Sequence, residues 1–380
     1  MKIKNLMMVM AALAMAGCSQ NEVTDTNPDV HPVIGFDVYT GVQTRGAETD
    51  IATLKVSDAG FGFLAYKTAG DWSTSGSAAT PDFLYNEHGT WTDGVPTGSW
   101  GYDNTRFWPT NSDKISFFAY APYEASPTNG SNKGITLSAQ TVQGAPTLEL
   151  ALKTTNDWKD MVDLVTDCRA DIQDQTATSH SGTVSFKFSH VLTKVADIKV
   201  KPDQSLGSDI KIYVTDLKLV PGSSILQNKA KYQFSDNTWV AATSGASYFT
   251  TEQDLSGFLN KTTPGDWGYT TSSVNVSNHS TATSLFPSGQ ALYFIPVDNA
   301  TGTANEGDLK LKIKYDIVTK SGATNVTSTT EKEVKLPKST FKKGMAHTYT
   351  LTIKLNTIGI TVDDTITDWG TTIGGDMDVE

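Results

Sequence analysis

The sequence predicts an all-β protein built as two β-sandwiches in tandem. Three observations carry that reading. Apolar residues recur at a spacing of two, as at Val184, Phe186 and Phe188 and at Leu309, Leu311, Ile313 and Tyr315. These runs are short, and glycine, proline, asparagine and serine turns bound them. No long amphipathic helix interrupts the series, so sheets must bury one another. A chain of 380 residues can fill two cores. With 38% hydrophobic and 19% charged residues it has enough apolar surface to fold. The net charge of -11 argues against a nucleic-acid partner, because phosphate binding needs dense lysine and arginine.

The chain begins with an export signal. Lys2 and Lys4 precede an apolar run over residues 6–16, shorter than the ~20 residues that span a bilayer. The run ends in Met15, Ala16, Gly17 and Cys18, small residues before a cysteine. Small side chains suit a lipoprotein signal peptidase, and the thiol takes the lipid. The expectation is a signal peptide over 1–17 and lipidation, with palmitate-type acyl chains, at Cys18. Cys168 is then the only other cysteine, so no intrachain disulfide forms, and it reads as a half-buried small residue.

Residues 18–45 read as a tether and leader strand. The tether is polar, broken by Pro28 and Pro32. Over residues 33–42, Ile34, Phe36, Val38 and Thr40 alternate with Gly35, Asp37 and Tyr39, the signature of a strand with one buried face. Arg45 and Gly46 follow in a polar hinge.

The first sandwich is placed over 46–182, with strands near 60–66, 83–85, 114–123, 135–137 and 147–150 and an apolar run at 161–165. Glycines in the first of these allow close backbone approach. A Ser, Thr, Gln and His-rich stretch near 171–182 reads as the linker. The second sandwich then occupies 183–380, with strands near 184–188, 195–200, 212–219, 231–234, 238–240, 291–296, 309–315, 334–337, 348–355 and 358–362.

Residues capable of chemistry are sparse. The histidines, His31, His88, His180, His190, His279 and His347, show no metal-ligand spacing. Asp163 and Asp167 read as solvated surface rather than a calcium site. Trp72, Trp91 and Trp100 read as packing, with sugar stacking as the alternative use of such loop aromatics. There is no phosphate loop, no nucleophile elbow and no acid–base pair. No catalytic residue, metal or cofactor is expected, and the chain does not read as an enzyme.

Several blocks recur in a familiar order. They are the lipobox at Cys18; Thr44-Arg45-Gly46; Arg106-Phe107-Trp108-Pro109 followed by residues 115–122; residues 184–195; Phe294-Ile295-Pro296; Phe341-Lys342-Lys343-Gly344 running into Tyr349-Thr350-Leu351; and Ile366-Thr367-Asp368-Trp369. In these blocks the chain resembles the fimbrillins of Bacteroidales, subunits of lipoprotein-derived pili. The resemblance implies two transthyretin-like sandwiches and export as an outer-membrane lipoprotein precursor. It implies cleavage by an arginine-specific protease at Arg45, with Gly46 as the mature N-terminus and loss of the strand over 33–42. It further implies that a strand from the C-terminus of the next subunit fills the vacated groove. In this chain Ile373, Met377 and Val379 are the anchors such a tail could offer.

A sandwich missing one strand exposes unpaired backbone and an apolar groove, which is a template for a foreign strand. A head-to-tail contact of that kind does not close, so it grows a filament. The expected function is that of a structural subunit of a cell-surface fimbria supporting adhesion. Its partners would be other fimbrial subunits and a ligand on a host or bacterial surface, with its place as stalk, anchor or tip left open. The alternative is a monomeric surface lipoprotein that binds glycans through loop aromatics.

Overall fold

A computed structural model describes residues 32–40, 49–56, 59–95, 97–109, 111–127, 133–153, 158–173, 182–297, 309–336, 341–355 and 359–369. The first part of the chain forms β1 (Gly35–Thr40), α1 (Ile51–Leu54), β2 (Phe61–Thr68), α2 (Trp72–Ser75), β3 (Leu84–Thr92), β4 (Ser99–Gly101) and β5 (Lys114–Ala121). Next come β6 (Ile135–Leu137), β7 (Thr147–Ala151), β8 (Val165–Ile172) and β9 (Thr183–His190). Seven of these strands make one sheet in the order β1-β9-β8-β5-β2-β3-β4. The sheet curls until its outer strands, β1 and β4, are in contact.

The central strands explain the continuous apolar runs in the sequence, because both of their faces are buried. Phe61, Phe63 and Ala65 of β2, with Ile115, Phe117 and Ala119 of β5, fill the concave side of the curled sheet. Leu64, Tyr66, Phe118 and Tyr120 point the other way, into a second and larger core. Gly62 pairs with Tyr120, and a Cβ there would sit 2.3 Å from the tyrosine ring, so this position excludes a side chain.

The remainder comprises β10 (Thr193–Pro202), β11 (Ile210–Val220), β12 (Gln227–Gln233), β13 (Thr238–Ala241), β14 (Ser247–Tyr248), β15 (Gln253–Asp254), β16 (Val274–Asn275) and β17 (Thr283–Ser284). It continues with β18 (Leu292–Phe294), β19 (Lys310–Ser321), β20 (Thr324–Lys335), β21 (Met345–Lys354) and β22 (Gly359–Asp368). Three further sheets result, ordered β17-β10-β21-β22, β15-β11-β19-β20 and β13-β12-β7-β6. Side chains from all three meet in the large core. In β19, Leu311, Ile313 and Tyr315 are buried, while Lys310, Lys312 and Lys314 point away from the core, as the alternation requires.

The sheets span residue 182 rather than separating there. β9 begins at Thr183, yet it pairs with β8 and β1 inside the first sheet. β6 and β7 precede residue 182, yet they share a sheet with β12 and β13. The chain leaves the first sheet between β9 and β10, at Val191 and Leu192, both buried.

β8 and β20 have no apolar alternation along most of their length to announce them. β8, read from the sequence only as an apolar run ending at Val165, continues through Thr166, Asp167, Cys168, Arg169 and Ala170. Cys168 is exposed there rather than half-buried. β20 is rich in threonine and largely exposed along a sheet edge, where polar side chains meet water.

Candidate assembly site

β1, the strand the sequence reads as a leader, is seated in the curled sheet. β1 runs parallel to β9, in register from Gly35 opposite Thr183 to Thr40 opposite Phe188. At its start, the Ile34 amide donates to the Arg106 carbonyl at 2.9 Å and the Gly35 amide to the Gly182 carbonyl at 3.1 Å. Val33 bridges Phe107, and the Trp108 amide donates to the Pro32 carbonyl at 3.3 Å. The Arg-Phe-Trp block thus clasps the entrance of the leader. The regular strand is shorter than the span over 33–42, of which residues 41 and 42 lie outside the described residues.

The three leader residues singled out from the sequence share one buried face. Ile34, Phe36 and Val38 are 0%, 4% and 6% exposed, while Tyr39 on the other face is 48% exposed. Phe36 is the hub of an aromatic cluster. Its ring centroid lies 4.7 Å from Phe63, 5.3 Å from Tyr102, 5.4 Å from Phe186, 5.8 Å from Phe117 and 6.1 Å from Phe61. The Phe186 ring stacks on it and the others meet it tilted or edge-on, the arrangements aromatic quadrupoles favour. The one polar group carried by these five rings, the Tyr102 hydroxyl, is engaged by the Arg106 amide at 3.0 Å. Burial pushes that phenol up to about 12, so it stays neutral.

At Thr49 the chain is moored again. The Thr49 amide donates to Asp163 Oδ2 at 2.7 Å, and its hydroxyl donates to the Asp163 carbonyl at 2.5 Å. Asp163 Oδ1 lies 3.0 Å from His190 Nδ1, and both side chains are buried. The His190 ring stacks on Trp369 at 3.9 Å, at the end of β22. One buried pair therefore joins the segment after the leader, the end of β9 and the end of the last described strand. Asp163 was expected on the solvated surface. It is 3% exposed, because Thr49 and His190 replace the water that would otherwise solvate it.

No local pattern signals this joint, since Thr49 and Asp163 are 114 residues apart. The nearest sequence signal is the family block over residues 184–195, which contains His190.

β22 is fastened differently. It pairs with β21 along its whole length, and Asp364 Oδ2 lies 2.9 Å from His347 Nδ1. Its side chains are mostly exposed, with Ile366 at 48%.

Lys194 lies 5.5 Å from the Trp369 ring, and burial lowers its ammonium to about 8. Its folded value is below that of the unfolded lysine, so between the two the unfolded chain holds a proton that the native chain has lost. Stability therefore rises with pH across that window. The expected result is a denaturation midpoint that climbs between about pH 8 and about pH 10, with a weaker climb in Lys194→Met. A flat wild-type profile would contradict this assignment.

Of the other residues singled out, Cys18, Arg45, Gly46, Ile373, Met377 and Val379 lie outside the described residues. The tryptophans are engaged in packing. Trp100 is buried, Trp72 packs on Tyr66 and Phe118, and Trp91 lies against Trp100 with the Lys55 ammonium 3.7 Å from its ring. Among the described residues, no group of three or more His, Cys, Asp or Glu side chains could hold a metal ion.

Comparison with known proteins agrees with this architecture. The model of the fimbrillin-like family matches residues 57–369. The fimbrium subunit Fim1C of Phocaeicola vulgatus is 59% identical over 383 residues, covering 100% of both chains. A crystal structure of a fimbrial protein from Bacteroides vulgatus superposes with a TM-score of 0.81 at 57% identity, covering 89% of this chain and 99% of the other. With the family match spanning most of the sequence, the chain belongs to the fimbrillin-like family.

Proposed function

We propose that this protein is a structural subunit of a cell-surface fimbria. It is exported as an outer-membrane lipoprotein carrying its lipid on Cys18, cut after Arg45, and joined head to tail with other fimbrial subunits by strand exchange. The carrying observation is that β1 is an edge strand with the burial of a core strand. It pairs with β9 alone, yet together with Ile34 just before it, it places three side chains, Ile34, Phe36 and Val38, in the core. Burying Ile34, Phe36 and Val38 contributes on the order of 5–8 kcal/mol. A cut at Arg45 would not by itself expel the leader. It would make the leader replaceable by a strand with a comparable apolar face.

The choice of bond has a physical basis. The sequence has three arginines, Arg45, Arg106 and Arg169. Arg106 is half-buried, with its carbonyl engaged by Ile34 and its Nε donating to the Phe83 carbonyl. Arg169 lies in β8 and pairs with Asp167 at 2.8 Å. Proteases act on backbone they can draw out, and both of these are held in the body. Arg45 lies between β1 and α1. The tail with Ile373, Met377 and Val379 is the segment this subunit would offer to the next. A place in fimbriae then puts the mature form at the cell surface, where it supports adhesion.

The test is limited exposure of the full chain to an arginine-specific protease. One cut at Arg45, followed by high-molecular-weight ladders when fimbrial subunits are combined, is the expected result. Arg45→Ala should remain uncut and monomeric. A trimmed protein that stays monomeric and binds polysaccharide would instead favour a glycan-capturing surface lipoprotein. Labelling with a lipid precursor, lost in Cys18→Ala, checks the anchor.

A further inference from the structure

We infer that the seat of β1 takes a strand with an aromatic side chain at its middle buried position, and that this strand belongs to a fimbrial chain other than a second copy of this one. The inference rests on the strand-exchange reading proposed above. It specifies the partner that reading leaves open.

The seat has a direction and a register. An occupant must run parallel to β9, as β1 does, and its leading amides must meet the carbonyls of Arg106 and Gly182. Its buried face is read at the positions of Ile34, Phe36 and Val38. The middle position is the most demanding. The rings around Phe36 come from β2, β5 and β9 and from Tyr102 just after β4. Three of these four sources are hydrogen-bonded strands inside one sheet, so they cannot collapse into the space an absent ring would leave. A smaller side chain forfeits its own burial and leaves a cavity as well. A polar one would lack a partner, because the Tyr102 hydroxyl is already engaged.

Residues 359–380 do not offer that pattern. β22 alternates Ile360, Val362, Asp364 and Ile366. Residues 370–380 contain no aromatic residue, with Ile373, Met377 and Val379 as their large apolar side chains. Trp369 is flanked two positions away by Thr367 and Thr371 rather than by aliphatic residues. A second copy offering residues 359–380 would therefore leave the middle position underfilled. A subunit presenting an aliphatic-x-aromatic-x-aliphatic strand would fill it. The groove thus sets the order of unlike subunits in the filament.

The test uses the full chain trimmed at Arg45 and loaded with a fluorescent synthetic peptide of residues 32–42. Unlabelled peptides compete for the seat. The native leader peptide should displace the label. Its Phe36→Leu form should be about 10-fold weaker, and its Phe36→Ala form at least about 100-fold weaker. Peptides of residues 359–369 and 370–380 should not compete within the same range. Equal competition by the Phe36→Ala peptide, or by either C-terminal peptide, would overturn the inference.

If the protease does not cut at Arg45, the processing reading fails by itself. The seat is then tested in untrimmed Phe36→Ala protein. The native leader peptide should bind that variant, and the Phe36→Ala peptide should not. Equal binding or no binding by the two peptides would overturn the inference there as well.

Discussion

Replacing Phe36 with alanine lowers the stability of the protein by about 3–5 kcal/mol. The cost combines the lost burial of the ring with the cavity left among Phe63, Tyr102, Phe186, Phe117 and Phe61. Because β1 is an edge strand, the loss has a ceiling. Once it exceeds what holds the leader in place, β1 detaches while the body stays folded. Denaturation followed by two probes should separate these events. Amide exchange at Ile34 and Gly35, whose amides are held by the Arg106 and Gly182 carbonyls, should accelerate before the circular dichroism of the body changes. A loss below about 1 kcal/mol, with unchanged exchange in β1, would show that the aromatic cluster does not hold the leader.

Replacing Asp163 with alanine costs roughly 2–6 kcal/mol, about 1–3 kcal/mol for each buried hydrogen-bonding group left without its partner. The variant strands two groups at once. The Thr49 amide loses its acceptor, His190 Nδ1 loses its carboxylate, and both residues are buried. Asp163→Asn keeps an oxygen acceptor in place and should lose less. A cycle pairing Asp163→Ala with His190→Ala measures the direct coupling, expected above about 1 kcal/mol for contacting groups. Additive single effects would mean that the two side chains are merely adjacent. The joint binds both the start of the body after the leader and Trp369 at the end of β22. The same variant should therefore loosen both ends together, seen as faster amide exchange at Thr49 and at Trp369, whose amide is held by the Gly344 carbonyl at 2.8 Å.

Much of the leader is legible in the sequence. Its alternation of Ile34, Phe36 and Val38 with Asp37 and Tyr39 is the local consequence of a strand with one wet face. The apolar blocks at 61–66 and 115–121 are legible for a related reason. Strands buried on both faces have no polar side to alternate with. β8 and β20 escape such reading because a strand held by its neighbours' hydrogen bonds needs no apolar signature when its side chains meet water.

The division at residue 182 follows composition, and a polar stretch does indeed precede β9. Composition cannot report that β9 turns back to pair with β1 and β8.

By itself, then, the sequence determined the all-β class, the buried face of β1 and the family blocks, because each is written in residues close together along the chain. Only the tertiary structure decided that β1 lies parallel to β9, that five rings from distant segments enclose Phe36, and that Thr49, Asp163, His190 and Trp369 form one joint. The physical reason is the same in each case. Pairing direction, ring packing and the desolvation of a carboxylate are set by partners brought together from across the chain, and no local pattern encodes which partner will arrive.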